Sequence, residues 1–150
     1  FMRIVNPVFS HTSEHGLPES ALQRIESFSR KRWVYINKAF HTLRRRGGNS
    51  VSNPRCRVMD AVIVISPDNH LVLPCYHHSQ TRLNISRPLA EMRHSREWQD
   101  MHRCQGRLPA CNGCHLNCYF DPSFLYKMDK LFWQSLTAKA KYVFDKHIRR

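Results

Sequence analysis

Acidic residues are scarce. Asp and Glu number 11 against 24 Lys and Arg, which leaves a net charge of +13 with His neutral. Long apolar runs are missing too. The longest spans residues 61–65, far too short for a helix that crosses a bilayer. No basic, apolar and small-residue triplet opens the chain, so no secretory leader is read there. No Gly-x-x-x-x-Gly-Lys-Ser/Thr loop occurs, which argues against a P-loop nucleotide site. Glycine totals only 5 of 150 residues, and Gly47-Gly48 follows a helical pattern rather than a strand. That pair reads as a helix stop, not a phosphate cradle. No Ser, His and Asp arrangement has a nucleophile motif around it. Internal repeats and low-complexity tracts are also lacking.

What is present begins with basic charge. The pI near 10.0 invites a nucleic-acid reading. The basic residues, however, are spread along the whole chain. Their densest groups, Arg30-Lys31-Arg32, Arg44-Arg45-Arg46 and the C-terminal end, fall at predicted helix ends or polar faces. Positive charge suits a helix C-terminus, so most of it reads as solvated surface.

The local patterns predict an α+β chain. Residues 1–5 read as a strand already under way and open with Phe1, so a piece of a longer protein is expected. A His/Ser/Gly loop follows to residue 16. Pro18 starts a helix carrying Ala21, Leu22, Ile25 and Phe28. A second helix shows Ile36, Ala39, Phe40 and Leu43 on one face and stops at Gly47-Gly48-Asn49. After a polar linker, residues 61–65 and Leu71-Val72-Leu73 predict a β-hairpin, apolar on both faces. Its turn is Ser66-Pro67-Asp68-Asn69-His70, with Asn69 suited to positive φ. A third short strand is expected over residues 81–85. Pro88 opens a short helix with Leu89 and Met92. Ser95 caps another with Trp98, Met101 and His102. Residues 104–120 read as a cysteine-rich loop. One amphipathic helix is expected from residue 123 to the end, with Leu125, Met128, Phe132 and Leu136 buried, continuing through Tyr142, Val143 and Ile148.

Six cysteines carry the chemistry: Cys56, Cys75, Cys104, Cys111, Cys114 and Cys118. Close clustering of the last three favours metal or redox chemistry over structural bridging. Cys111-Asn112-Gly113-Cys114 is a knuckle that aims two sulfurs at one point, and Gly113 permits the tight backbone. Cys56 and Cys75 flank the predicted hairpin, whose ends come together. Hairpin ends plus knuckle make a four-sulfur site for zinc or an iron–sulfur cluster, and spacing alone does not separate the two. Cys118 replaces or supplements one ligand in this reading. Cys104 ends a predicted helix and fits a small buried apolar role. His77 and His78 follow Cys75 and are candidate hydrogen-bond donors around the site.

A longer pattern runs through these residues. Asn53-Pro54-Arg55-Cys56 is followed by the run 61–65. Then come Pro67-Asp68-Asn69-His70-Leu71-Val72-Leu73-Pro74-Cys75, the helical Pro88-Leu89-Ala90-Glu91-Met92 and Ser95-Arg96-Glu97-Trp98, the Cys111/Cys114 pair and Cys118-Tyr119-Phe120. Over roughly residues 53–120 this order resembles the auxiliary-cluster domain of radical S-adenosylmethionine enzymes, and the one-cluster twitch form more than the two-cluster SPASM form. Asn69 stands where the family has a glycine. The family's catalytic C-x-x-x-C-x-x-C is absent; the order here is Cys111-x-x-Cys114-x-x-x-Cys118.

The resemblance implies three regions. Residues 1–50 would be the end of a partial α/β barrel, 51–122 a hairpin-and-helix domain built around a cysteine-ligated cluster, and 123–150 the amphipathic helix. It implies Cys56, Cys75, Cys111, Cys114 and Cys118 as the metal-binding set for an auxiliary [4Fe-4S] cluster, acting as electron relay, substrate anchor or staple. S-adenosylmethionine and a second [4Fe-4S] cluster would belong to a part upstream of Phe1, so this chain would not cleave S-adenosylmethionine itself. A flavodoxin or ferredoxin reductant is implied for the whole enzyme, whose substrate is not indicated. A cytoplasmic location is expected. Nucleic acid and membrane are disfavoured partners, although the terminal helix suits a membrane surface. The rival reading is a zinc-stabilised basic module that binds nucleic acid. A Cys111/Cys114 thiol redox protein is weaker, because no βαβ context surrounds that pair.

Overall fold

The computed structural model describes residues 3–4, 18–31 and 34–147, and it is of mixed helix and strand. Two-residue strands β1 (Arg3–Ile4) and β2 (Val34–Tyr35) pair in parallel, with Ile4 opposite Tyr35. Between them lies α1 (Glu19–Ser27), begun by Pro18 as expected and continued by a 3₁₀ turn, Phe28–Arg30. The predicted loop before Pro18 lies outside the described residues. Helix α2 (Lys38–Arg45) is capped by the Asn37 side chain, which accepts from the Ala39 N–H at 3.0 Å. Ala39, Phe40 and Leu43 enter the core. The helix ends where the glycines predict, the Gly48 N–H donating to the Leu43 carbonyl at 3.0 Å.

The predicted hairpin needs correction at its first arm. A single helical turn, α3 (Val58–Ala61), takes up Ala61. It sends Val58 and Met59 into the core and closes with the Val62 N–H on the Val58 carbonyl at 2.7 Å. Pairing begins only at Val64, whose carbonyl accepts from Val72 at 2.9 Å, with Ile65 bridging Leu71. Ile63 and Ile65 are exposed, so the arm is not apolar on both buried faces. No described strand covers its outer side. Strand β3 (His70–Leu73) instead takes β4 (Thr81–Asn84) as its antiparallel partner, with Leu71 opposite Leu83. This is the third strand the sequence suggested. Asn69 turns the chain at φ 61°, as its place in the turn requires.

Helices α4 (Leu89–Met92) and α5 (Arg96–Cys104) fall where expected, and the Ser95 hydroxyl accepts from the Trp98 N–H at 3.2 Å. The cysteine-rich stretch is more helical than its composition suggested. It holds a 3₁₀ turn, Pro109–Cys111, and the start of α6 (Asn117–Ser123). The expected single terminal helix is also broken. A 3₁₀ turn, Phe124–Tyr126, follows α6, and α7 (Lys130–His147) starts afresh. Asp129 Oδ1 caps α7 by accepting from Leu131 and Phe132 at 2.8 and 3.1 Å. The break resets the helical phase. Leu131 and Ser135 become the buried positions, while Leu125, Met128, Leu136 and Val143 are exposed. Ile148 lies outside the described residues.

One core runs from α2 to α7. Phe40, Leu43, Leu71, Leu73, Trp98, Phe120, Phe124 and Leu131 pack together with Cys56, Cys75 and Cys114. A polar network ties its far side: Asn37 donates to Asp121 at 2.6 Å and to Ser135 at 3.0 Å, and Lys139 pairs with Asp121 at 2.6 Å. No described helix is long and apolar enough to cross a membrane.

Candidate metal centre

The cysteines arrive from separate elements. Cys56 precedes α3, and Cys75 follows β3 across the cis Leu73–Pro74 peptide. Cys111 closes its 3₁₀ turn, and Cys114 ends the knuckle, where Gly113 takes φ 72°. All six thiols are free. Cys56, Cys75, Cys111 and Cys114 are buried, Cys104 is half-buried and Cys118 is exposed. The first four lie within electrostatic reach of one another. Cys114, Cys75 and Cys111 each raise the Cys56 thiol, and Cys75 and Cys114 both feel Cys111 and Cys118. Cys118 thus stands at the solvent rim of the group. Cys104 contributes to none of these shifts.

Burial dominates the acidity of the thiols. It pushes Cys56 up to about 12 and Cys114 to about 11, because an isolated thiolate is poorly solvated there. Burial also raises Cys75, Cys111 and Cys118. Near neutral pH the metal-free group is therefore a nest of neutral thiols. Backbone N–H groups oppose the shift at every one of them. Val58 donates to Cys56, His77 and His78 to Cys75, Leu108 and Gly106 to Cys111, and Leu116 to Cys114. These dipoles favour thiolate, the form that binds metal. Around Cys75 the two histidines thus act through their backbones. Tyr119 closes that side: its hydroxyl accepts from the Tyr76 N–H at 3.2 Å, and its ring meets the His77 ring edge-on at 5.9 Å.

Asn49, which the sequence places in the helix stop after α2, ties two of the three cysteine segments together. It is 2% exposed. Its amide nitrogen donates to the carbonyls of Gly106 at 2.8 Å and Cys111 at 3.1 Å. Its amide oxygen accepts from the backbones of Arg55 at 2.9 Å and Cys56 at 3.2 Å. Its own backbone completes the clamp, with Asn49 N–H to the Cys114 carbonyl and Gly113 N–H to the Asn49 carbonyl, both at 2.8 Å. Such an approach needs a glycine next door. A Cβ on Gly48 would sit 2.3 Å from the Gly113 carbonyl oxygen.

Arg55 is the second residue missed. Its buried guanidinium donates to the carbonyls of Phe124 and Lys127, both at 2.9 Å, and to Asp129 at 3.0 Å. It thereby anchors the Cys56 segment to the break between α6 and α7. No local pattern announces these long-range bonds. The Asp129 cap does have a local signal, an Asp just before an apolar helical stretch, but the expectation of one helix from residue 123 passes over it.

No group of three or more His, Cys, Asp or Glu side chains among the described residues is arranged to hold a metal ion. Comparison with protein-family models, curated proteins and solved structures finds no match. The functional reading therefore rests on this chain's own residues and their chemistry.

Proposed function

We propose that the chain is the auxiliary [4Fe-4S] portion of a radical S-adenosylmethionine protein, with Cys56, Cys75, Cys111 and Cys114 as ligands and Cys118 at the exposed rim. One observation carries the reading: three separate segments bring together four buried cysteines, none in a disulfide, near enough that a thiolate at one would raise its neighbours. The donor set fits a cluster, since thiolates are its ordinary ligands and backbone N–H bonds to sulfur tune it. The short parallel pair β1–β2 spanned by α1 suits the end of a partial barrel.

When bound, the cluster would supply one-electron transfer or a staple. The chain's own residues do the rest. Asn49 holds the Cys56, Cys111 and Cys114 segments in register, β3 delivers Cys75, and Tyr119 and the apolar core limit water on the inner side. Several basic side chains are already engaged: Arg45 with Glu19 and Glu26, Arg55 with Asp129, and Arg82 with Asp68. That weighs against a continuous nucleic-acid stripe.

Anaerobic reconstitution with iron, sulfide and zinc analysis tests the reading. About four irons and four sulfides per chain are expected, lost in Cys56→Ala and Cys114→Ala and retained in Cys104→Ala. One zinc without sulfide would overturn it.

A further inference from the structure

A second site lies apart from the cysteines. An open cleft of about 520 Å³ is lined by Asp60 of α3, Arg93 and His94 after α4, and Trp98, Gln99 and His102 of α5. Its polar groups are unusually well held. Asp60 Oδ1 meets His102 Nε2 at 2.6 Å, and its other oxygen accepts from Gln105 Nε2 at 2.9 Å. Gln105 is buried, and its carbonyl oxygen accepts from the Met59 N–H at 3.0 Å. The Tyr126 hydroxyl donates to the Asp60 carbonyl at 2.9 Å. Both carboxylate oxygens are thus committed inside the protein. The His102 ring is fixed through Nε2, which leaves Nδ1 as its remaining polar atom.

The facing groups are the nitrogen-bearing side chains of Arg93 and His94. Arg93 sits over the Trp98 ring at 5.9 Å from its centroid, and the Gln99 side chain donates to the Arg93 carbonyl at 2.7 Å and fixes that corner. Among the described residues neither Arg93 nor His94 has a carboxylate partner. Both contrast with Arg45, Arg55 and Arg82. A guanidinium and two imidazoles around one cleft, with the only lining carboxylate already satisfied, match a ligand that brings negative charge.

We propose that this cleft binds a small oxyanion, a carboxylate or a phosphate group, held by Arg93, His94 and His102, with Asp60 as the positioning residue for His102. The site does not depend on the cluster reading and is tested without metal.

The reduced chain is titrated at constant ionic strength with inorganic phosphate and, separately, with malonate, while its ten histidines are followed by proton NMR. His94→Gln and His102→Gln assign the two resonances of interest. A saturable shift confined to those two is expected, and the anion that saturates names the ligand chemistry. Arg93→Ala, an exposed change, should weaken binding about tenfold or more, since it removes a charge-assisted hydrogen bond. Asp60→Asn should weaken it with the fold intact, as read by circular dichroism. Shifts that fail to saturate, shifts that move all histidines alike, or Arg93→Ala binding that equals the parent would overturn the proposal.

Discussion

Replacing Asn49 by Ala should be one of the most damaging single changes in the chain. The substitution removes four side-chain hydrogen bonds: two donated, to Gly106 and Cys111, and two accepted, from Arg55 and Cys56. At about 1 kcal/mol net for each, with buried donors left unpaired, the loss is about 3–5 kcal/mol. Small domains have only about 5–15 kcal/mol in total, so the metal-free variant should sit close to unfolding. Asn49→Asp provides the graded control. It keeps both accepted bonds, loses both donated ones and sets a carboxylate oxygen against two carbonyls, so it should cost at least about 2 kcal/mol. The assay is urea unfolding of the thiol-reduced chain, followed by circular dichroism and tryptophan fluorescence. A second readout is the native-state reaction of the thiols with a disulfide reagent. It should accelerate at Cys56 and Cys111, because both lose the tie that holds them inside. An Asn49→Ala cost below about 1 kcal/mol, or unchanged thiol protection, would refute the clamp.

Two further outcomes follow from the same geometry and from the ion pairs of α1 and α2. Gly48→Ala should prevent the 47–49 segment from meeting the knuckle, since its Cβ would lie 2.3 Å from the Gly113 oxygen and 2.9 Å from that of Cys114. Gly47→Ala shares the positive φ, 81°, but meets nothing within 4 Å, so it should cost only about 1–2 kcal/mol; equal costs in urea would refute the distinction. Stability should also fall with acid in two stages. Burial holds the His41 imidazole below its ordinary 6.5, against the pull of Glu26 at 2.9 Å. The unfolded chain therefore takes up a proton first, and stability declines as pH drops below about 6.5. Glu26 is raised by burial, but its bonds to Arg45 and His41 together outweigh that and hold it below its ordinary 4.5. Its contribution is present above that value and is lost below it. Glu26→Gln should erase the second decline in a pH series of urea midpoints, and a flat series from pH 7 to 4 would refute both assignments.

Local signals were legible and distant ones were not. Helix α2 could be read because its apolar spacing and its glycine stop are both short-range, and Ser95, Pro88 and Asn69 announced themselves by position in the same way. Strand β4 was visible for a similar reason. The arm at residues 61–65 misled because a β-branched apolar run has the same appearance whether one face is covered or two. Here Val58 and Met59 took the core positions as a helical turn, and Ile63 and Ile65 were left outside. The terminal helix misled through phase: the interruption at residues 127–129 shifts the buried positions to Leu131 and Ser135. Arg55 fills that interruption from more than sixty residues away, and no window of local sequence contains both partners.

The same contrast explains how the cysteine group is built. Spacing named the four thiols, but spacing does not hold them. Cys75 is placed by a strand, an element with its own hydrogen-bond ladder. Cys56 and Cys114 lie in irregular backbone and Cys111 ends a single 3₁₀ turn; such stretches have no ladder and would otherwise carry unpaired polar groups into the interior. Asn49 and its backbone satisfy those groups and, in doing so, fix two of the three segments. Burial keeps the thiols neutral in that state, so a prearranged nest does not carry the repulsion of several buried thiolates. Under the proposed cluster reading, metal binding would have to expel protons but would have little chain left to order. A folded nest of neutral thiols is thus the state this hydrogen-bond pattern favours, and Asn49, rather than any cysteine, is the side chain on which that state depends most.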